Sequence, residues 1–121
     1  MPVISHVKFV SIYTRDQDRA LQFWTDRVGF RVMTDQPFDD THRWIELRIA
    51  SSDTRLVLFG SADDRPGQPF NGAFACDNVE RTYQELLSRG VSFLSPPKKE
   101  PWGTFATFKD PDGNHFVLST R

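Results

Sequence analysis

The residue best placed to do chemistry in this sequence is Glu46. It stands between Trp44 and Arg48 in RWIELRI, alternating with Ile45, Leu47 and Ile49, which is the period-two pattern of a half-buried strand. A carboxylate on the polar face of such a strand can act as a general base or anchor a ligand. Its ordinary alternatives are a salt bridge with Arg48 or a surface charge. His42 follows Asp39-Asp40 near a turn, and His115 opens the apolar segment HFVLS; either imidazole is a partner for Glu46 in proton transfer. Against this, His42 reads more simply as a solvated loop residue, and His115 as a ring satisfied by neighbouring backbone. Trp102 in KKEPWGTF offers a flat stacking face over a pocket mouth, or a plug for the end of a sheet. Lys98 and Lys99 are solvated or steer an anion. His6 falls at a strand start or a dimer seam. The lone Cys76 cannot form an internal disulfide, and with three His and no CxxC or HExxH it rules out the usual zinc frameworks.

These side chains sit in a chain of 121 residues, 38% hydrophobic and 26% charged, which predicts one domain or two very small halves sharing a core. The net charge is -1 and the basic residues are scattered, so no nucleic-acid partner is expected. No apolar run approaches the ~20 residues of a membrane span. The start MPVISHVKF has no basic segment followed by an apolar one, and a soluble cytoplasmic protein is expected. The composition is skewed towards aromatics, with 11 Phe, 3 Trp and 2 Tyr. Most of these rings are expected to fill the core.

The elements that must position these groups come in two copies. Amphipathic helices are predicted over 16–28 and 77–89, each opened by an Asp that can cap free N–H groups and closed before a glycine, Gly29 or Gly90, suited to a left-handed cap. Both caps recur after 61 residues, which points to an internal duplication. Strands are predicted over 7–13, 30–34, 43–49 and 55–59 in the first half, and over 70–76, 91–94, 104–109 and 115–119 in the second. Turn signals at Asp39-Asp40, Ser51-Ser52-Asp53, Pro96-Pro97 and Asp110-Pro111-Asp112-Gly113 punctuate them. Each half is β-α-β-β-β, spanning residues 5–60 and 70–120, with GSADDRPGQP as the linker.

That order, the helix DQDRALQFWTDRVGF, the segment ELLSRGVSF and the ending FKDPDGNHFVLS together resemble the vicinal oxygen chelate superfamily of glyoxalases, bleomycin-resistance proteins and extradiol dioxygenases. The resemblance covers essentially the whole chain. It implies an α+β fold in which two β-α-β-β-β repeats curl into an incomplete mixed barrel with helices on the convex face. It also implies a small-molecule ligand on the concave face and a homodimer.

Metal-dependent members hold a divalent ion with four side chains, one from each of the first and last strands of both halves. Carried over by local spacing, those positions are Phe9, Val57, Asn71 and Val117. Phe and Val have no lone pair, and a neutral amide alone leaves a dication uncompensated. No metal or other cofactor is therefore expected. If the four positions mark the concave face, alternation adds Ser11, Trp44, Glu46, Arg48, Phe59, Ala73, Phe105, Thr107 and His115 to it, with His42 and Trp102 at its margins. The opposite parity collects Val10, Ile12, Ile45, Leu47, Ile49, Leu56, Leu58, Phe74, Ala106, Phe108, Phe116 and Leu118, suited to packing under helices. Two readings follow. One is a metal-independent protein that binds an apolar or aromatic molecule; the other is an enzyme using Glu46 with His42 or His115 for proton transfer.

Overall fold

A computed structural model describes residues 3–60 and 69–120. The chain divides into two compact units, Met1–Arg65 and Pro66–Arg121, and each has the order β-α-β-β-β. The α+β class and the duplicated unit read from the sequence are those of the structure. Most of the expected linker, residues 61–68, lies outside the described residues.

In the first unit β1 (Phe9–Thr14), β2 (Arg31–Pro37), β3 (Arg43–Arg48) and β4 (Arg55–Gly60) form a sheet ordered β1-β4-β3-β2. β1 runs parallel to β4 and the other neighbours are antiparallel. Ile12, Ile45, Leu47, Leu56 and Leu58 are buried on one face, as are Ala20, Phe23 and Trp24 of the helix that covers it. Asp16 caps α1 (Gln17–Gln22) by accepting from the Arg19 N–H at 3.1 Å. Helical hydrogen bonding then changes period: Phe23–Arg27 is a π turn, with the Val28 and Gly29 N–H groups donating to the Phe23 and Trp24 carbonyls. Gly29 ends it at φ 96°, a backbone that L side chains rarely adopt.

Gln17 joins α1 to the sheet. Its Nε2 donates to the Arg43 carbonyl at 2.7 Å and the Leu58 carbonyl at 3.0 Å, and its Oε1 accepts from the Arg43 N–H at 2.9 Å. The β3–β4 ladder ends at the pair Ile45–Leu58, and beyond it the amide replaces the missing rungs. Gly60 lies beside it. A Cβ there would stand 2.5 Å from His42 Cδ2 and 3.0 Å from Gln17 Cδ.

In the second unit β5 (Pro69–Cys76), β6 (Ser92–Glu100), β7 (Gly103–Lys109) and β8 (His115–Thr120) are ordered β5-β8-β7-β6. α2 (Val79–Ser88) packs on β6, β7 and β8. Ala106, Phe108, Phe116 and Leu118 are buried with Val79 and Leu86 of the helix. Between β7 and β8 the buried Asp110 accepts from the backbone N–H groups of Asp112 and Asn114 and from Asn114 Nδ2, which fixes the Asp-Pro-Asp-Gly turn.

Several boundaries differ from expectation, and β2, expected over 30–34, runs on to Pro37. The cap of α2 is Asn78, which accepts from the Arg81 N–H at 2.9 Å, and not Asp77; Asn and Asp cap equally well, so neighbouring candidates are not separable by type. Thirteen residues therefore separate Asp16 from Gly29 and twelve separate Asn78 from Gly90; the π turn takes up the extra one. Pro96-Pro97 is not a turn but part of β6, which continues to Glu100. β6 is an edge strand with register shifts between Phe93 and Ser95 and between Ser95 and Lys98, where proline's missing N–H breaks no rung. KKEPWGTF accordingly is a β6–β7 hairpin closed at Glu100–Gly103, with Pro101 and Trp102 as its tip. No helix among the described residues is long and apolar enough to cross a membrane.

Candidate functional site

Alternation places Phe9, Ser11, Tyr13, Trp44, Glu46, Arg48, Arg55, Val57 and Phe59 on the face of the first sheet opposite α1. Phe9 on β1 meets Trp44 on β3 edge to face, ring centroids 5.6 Å apart and planes at 86°. Those strands flank β4, so the two rings close over it. Val57, midway along β4, is 0% exposed although it faces away from the helix. Phe59 adds a second edge contact to Trp44 at 6.5 Å and one to Tyr13 at 5.7 Å. Phe38 of the β2–β3 turn completes the cluster at 6.2 Å from Trp44 and 6.4 Å from Phe59. The rim is open to solvent, with Phe9 37% and Phe38 62% exposed.

Glu46 orients this surface. Its Oε2 accepts from Trp44 Nε1 at 3.0 Å, holding the indole along the strand towards Phe9. The other carboxylate oxygen has no partner among the described residues, and no ion pair joins Glu46 to Arg48 there.

His42 is held within the β2–β3 turn. Its backbone N–H donates to Asp39 Oδ1 at 2.8 Å, and its Nδ1 lies 3.2 Å from the same oxygen. Asp39 also accepts from the Thr41 N–H at 2.9 Å. The Thr41 N–H, with the His42 ring beside it, holds the Asp39 carboxyl down at about 2. The imidazole is thus a brace of the β2–β3 turn, directed at Asp39 and set against Gly60.

In the second unit Phe105, Thr107, His115 and Val117 share the sheet face opposite α2, with Thr107 paired to Val117. All four are half-buried. Trp102 at the hairpin tip is 77% exposed. Asn71 lies on β5, and its side chain is outside the described residues.

Phe9, Val57 and Val117 offer no donor atom, and Val57 is fully buried. Among the described residues no three His, Cys, Asp or Glu side chains come together in a way that could hold a metal ion. The glyoxalase-type metal set therefore does not fit the side chains present at these positions.

Residues 3–118 match the model of the Glyoxalase/Bleomycin resistance protein/Dioxygenase superfamily. The chain belongs to this superfamily. The uncharacterized protein YetH of Bacillus subtilis (strain 168) is 36% identical over 118 residues, covering 96% of this chain and 98% of that protein. The crystal structure of TnmS3, an antibiotic binding protein from Streptomyces sp. CB03234, is similar at a TM-score of 0.86 and 36% identity, covering 99% of this chain and 98% of that one. A superfamily member from Sphaerobacter thermophilus DSM 20745 is similar at a TM-score of 0.89 and 30% identity, covering 99% and 100%.

Sequence reasoning missed three contributors to this superfamily member's first sheet face. Tyr13 was available from alternation, two residues beyond Ser11. Phe38 was not, because period-two logic stops at a turn. Arg55 faces the same way as Val57 and was reachable by the same count.

Proposed function

We propose that this chain binds an apolar or aromatic small molecule on the aromatic face of its first sheet, and does so without a metal. The closure of Phe9 and Trp44 over Val57 carries the reading. It puts a rigid, partly exposed ring surface where metal-dependent members of the superfamily place a ligand of the ion. A flat molecule laid on those rings gains about 25 cal/mol per Å² of apolar area buried, and the unpartnered oxygen of Glu46 supplies one orienting acceptor. Similarity to an antibiotic-binding protein supports a small-molecule antibiotic as one such ligand. The same reading extends to the second sheet's Phe105, Thr107, His115 and Val117 face.

The test is a fluorescence titration with the neutral probe N-phenyl-1-naphthylamine. Saturable one-to-one binding with a Kd below about 100 μM is expected, unchanged by EDTA. Glu46→Ala frees the indole and should weaken binding about tenfold, near the net contribution of one hydrogen bond. Glu46→Gln, which retains an acceptor for Trp44 Nε1, should restore most of it. No saturable binding, or binding abolished by chelation, overturns the reading.

We also propose a homodimer. Each sheet ends in edge strands, β1 and β2 or β5 and β6, which invite pairing. Val3, Ile4 and Val7, ahead of β1, are 97%, 81% and 59% exposed, an apolar cluster that a second copy would cover. Sedimentation at tens of micromolar should give twice the monomer mass; a monomer overturns this.

A further inference from the structure

We propose that Arg31, Arg48 and Arg55 form an oxyanion site for an acidic group on the bound small molecule. The pairing register places the three directly beside one another: Arg31 on β2 opposes Arg48 on β3, and Arg48 opposes Arg55 on β4. Residues opposed across strands share a face, with Cβ atoms about 4.5–5.5 Å apart. Three guanidinium groups therefore stand in one row, and like charges so placed repel.

Among the described residues none of the three guanidinium groups has a hydrogen-bond or ion-pair partner. Arg48 Nε and Arg55 Nη1 are moreover buried without an acceptor. A guanidinium cannot shed its proton to escape this, and a buried, unpaired donor on a cation is costly. Arg43, on the same strand as Arg48, shows the ordinary remedy: it donates to Asp35 at 3.0 Å and to Asp18 at 2.6 Å. Among the described residues the row of three has no such carboxylate; Glu46, two residues from Arg48, gives one oxygen to Trp44 and makes no ion pair with Arg48.

A planar fork of N–H donors matches a carboxylate, sulfonate or phosphate, which would supply both the missing acceptors and the missing charge. The row adjoins the aromatic surface, since Arg55 opposes Phe9 in the β1–β4 register and neighbouring strands are about 4.8 Å apart. The ligand class is thus an aromatic acid, its ring on Phe9 and Trp44 and its oxyanion on Arg48 and Arg55. The aromatic half of this statement rests on the function proposed above; the oxyanion half stands on the arginines alone.

Two probes separate the halves. 8-Anilinonaphthalene-1-sulfonate and N-phenyl-1-naphthylamine share one ring frame and differ by the sulfonate. At fixed ionic strength the sulfonate should bind at least about tenfold more tightly, as expected of a charge-assisted contact. In Arg48→Gln and in Arg55→Gln the affinity ratio should fall to near one. A ratio near one in the unsubstituted protein, or one that persists in both variants, overturns the oxyanion site while leaving the aromatic reading intact. If neither probe binds, the aromatic reading fails, and inorganic pyrophosphate decides the site. It should raise Tm saturably in the unsubstituted protein and leave Tm unmoved in the variants; no such rise overturns it. Both variants are expected to fold, with Tm in chloride buffer at or above that of the unsubstituted protein, because each relieves repulsion in the row. A lower Tm for both would overturn the claim that the row is uncompensated.

Discussion

Trp44→Ala is expected to weaken N-phenyl-1-naphthylamine binding by about 2 to 3 kcal/mol, roughly 30- to 150-fold, as for truncation of an aromatic anchor at the centre of a binding surface. The single side chain touches Phe9, Phe59 and Phe38, so its loss breaks the cluster into separate rings and uncovers Val57. Trp44→Phe keeps a ring but loses the N–H that Glu46 holds, and should fall between the two. A Trp44→Ala protein that binds the probe within about twofold of the unsubstituted chain would place the ligand elsewhere.

The largest loss of stability is expected from Gln17→Ala. The substitution orphans two carbonyls and an N–H at the end of the β3–β4 ladder. It should destabilise the protein by about 2 to 4 kcal/mol, lowering Tm by roughly 8 to 15 °C. Gln17→Glu should be as severe, since a carboxylate cannot donate and would face the Arg43 and Leu58 carbonyls. Gly60→Ala tests the same corner from the other side. Its Cβ would meet the His42 ring and the Gln17 amide, neither of which is free to swing away. His42→Ala should relieve part of that cost, so the double substitution should be less damaging than the two single effects added together. Thermal unfolding measures all five; a Gln17→Ala protein that melts within about 2 °C of the unsubstituted chain would show that water replaces the amide without loss.

The sequence made the helix and strand order legible because each signal was local. Asp16 caps, Gly29 and Gly90 stop, and Ile45 and Leu47 alternate with Trp44, Glu46 and Arg48. The helix-facing parity could be read from the same count, and Phe9, Trp44 and Phe59 follow from its complement. What was hidden depended on contacts distant along the chain. Gln17 reads as one more polar residue in a first helical turn, since its partners lie 26 and 41 residues away. Arg31, Arg48 and Arg55 have no common spacing; only the strand register, with its irregularity between Val32 and Thr34, aligns them. Pro96 and Pro97 read as a turn because a proline in an edge strand and one in a loop look alike until the neighbouring strand is known.

The π turn at Phe23–Arg27 bears on how the two halves have been able to drift apart. They differ in length by one residue inside a helix, where such a change ordinarily rotates everything beyond it by about 100°. Widening one turn absorbs the difference before Gly29, so the chain leaves the helix in phase and enters β2 with its alternation intact. Out of phase by one, every β2 side chain would change sides, and Arg31 would turn towards the helix and away from Arg48. The wide turn therefore acts as a buffer against indels: an altered residue count stays confined to the layer that covers the core, and the sheet face opposite the helix inherits none of it.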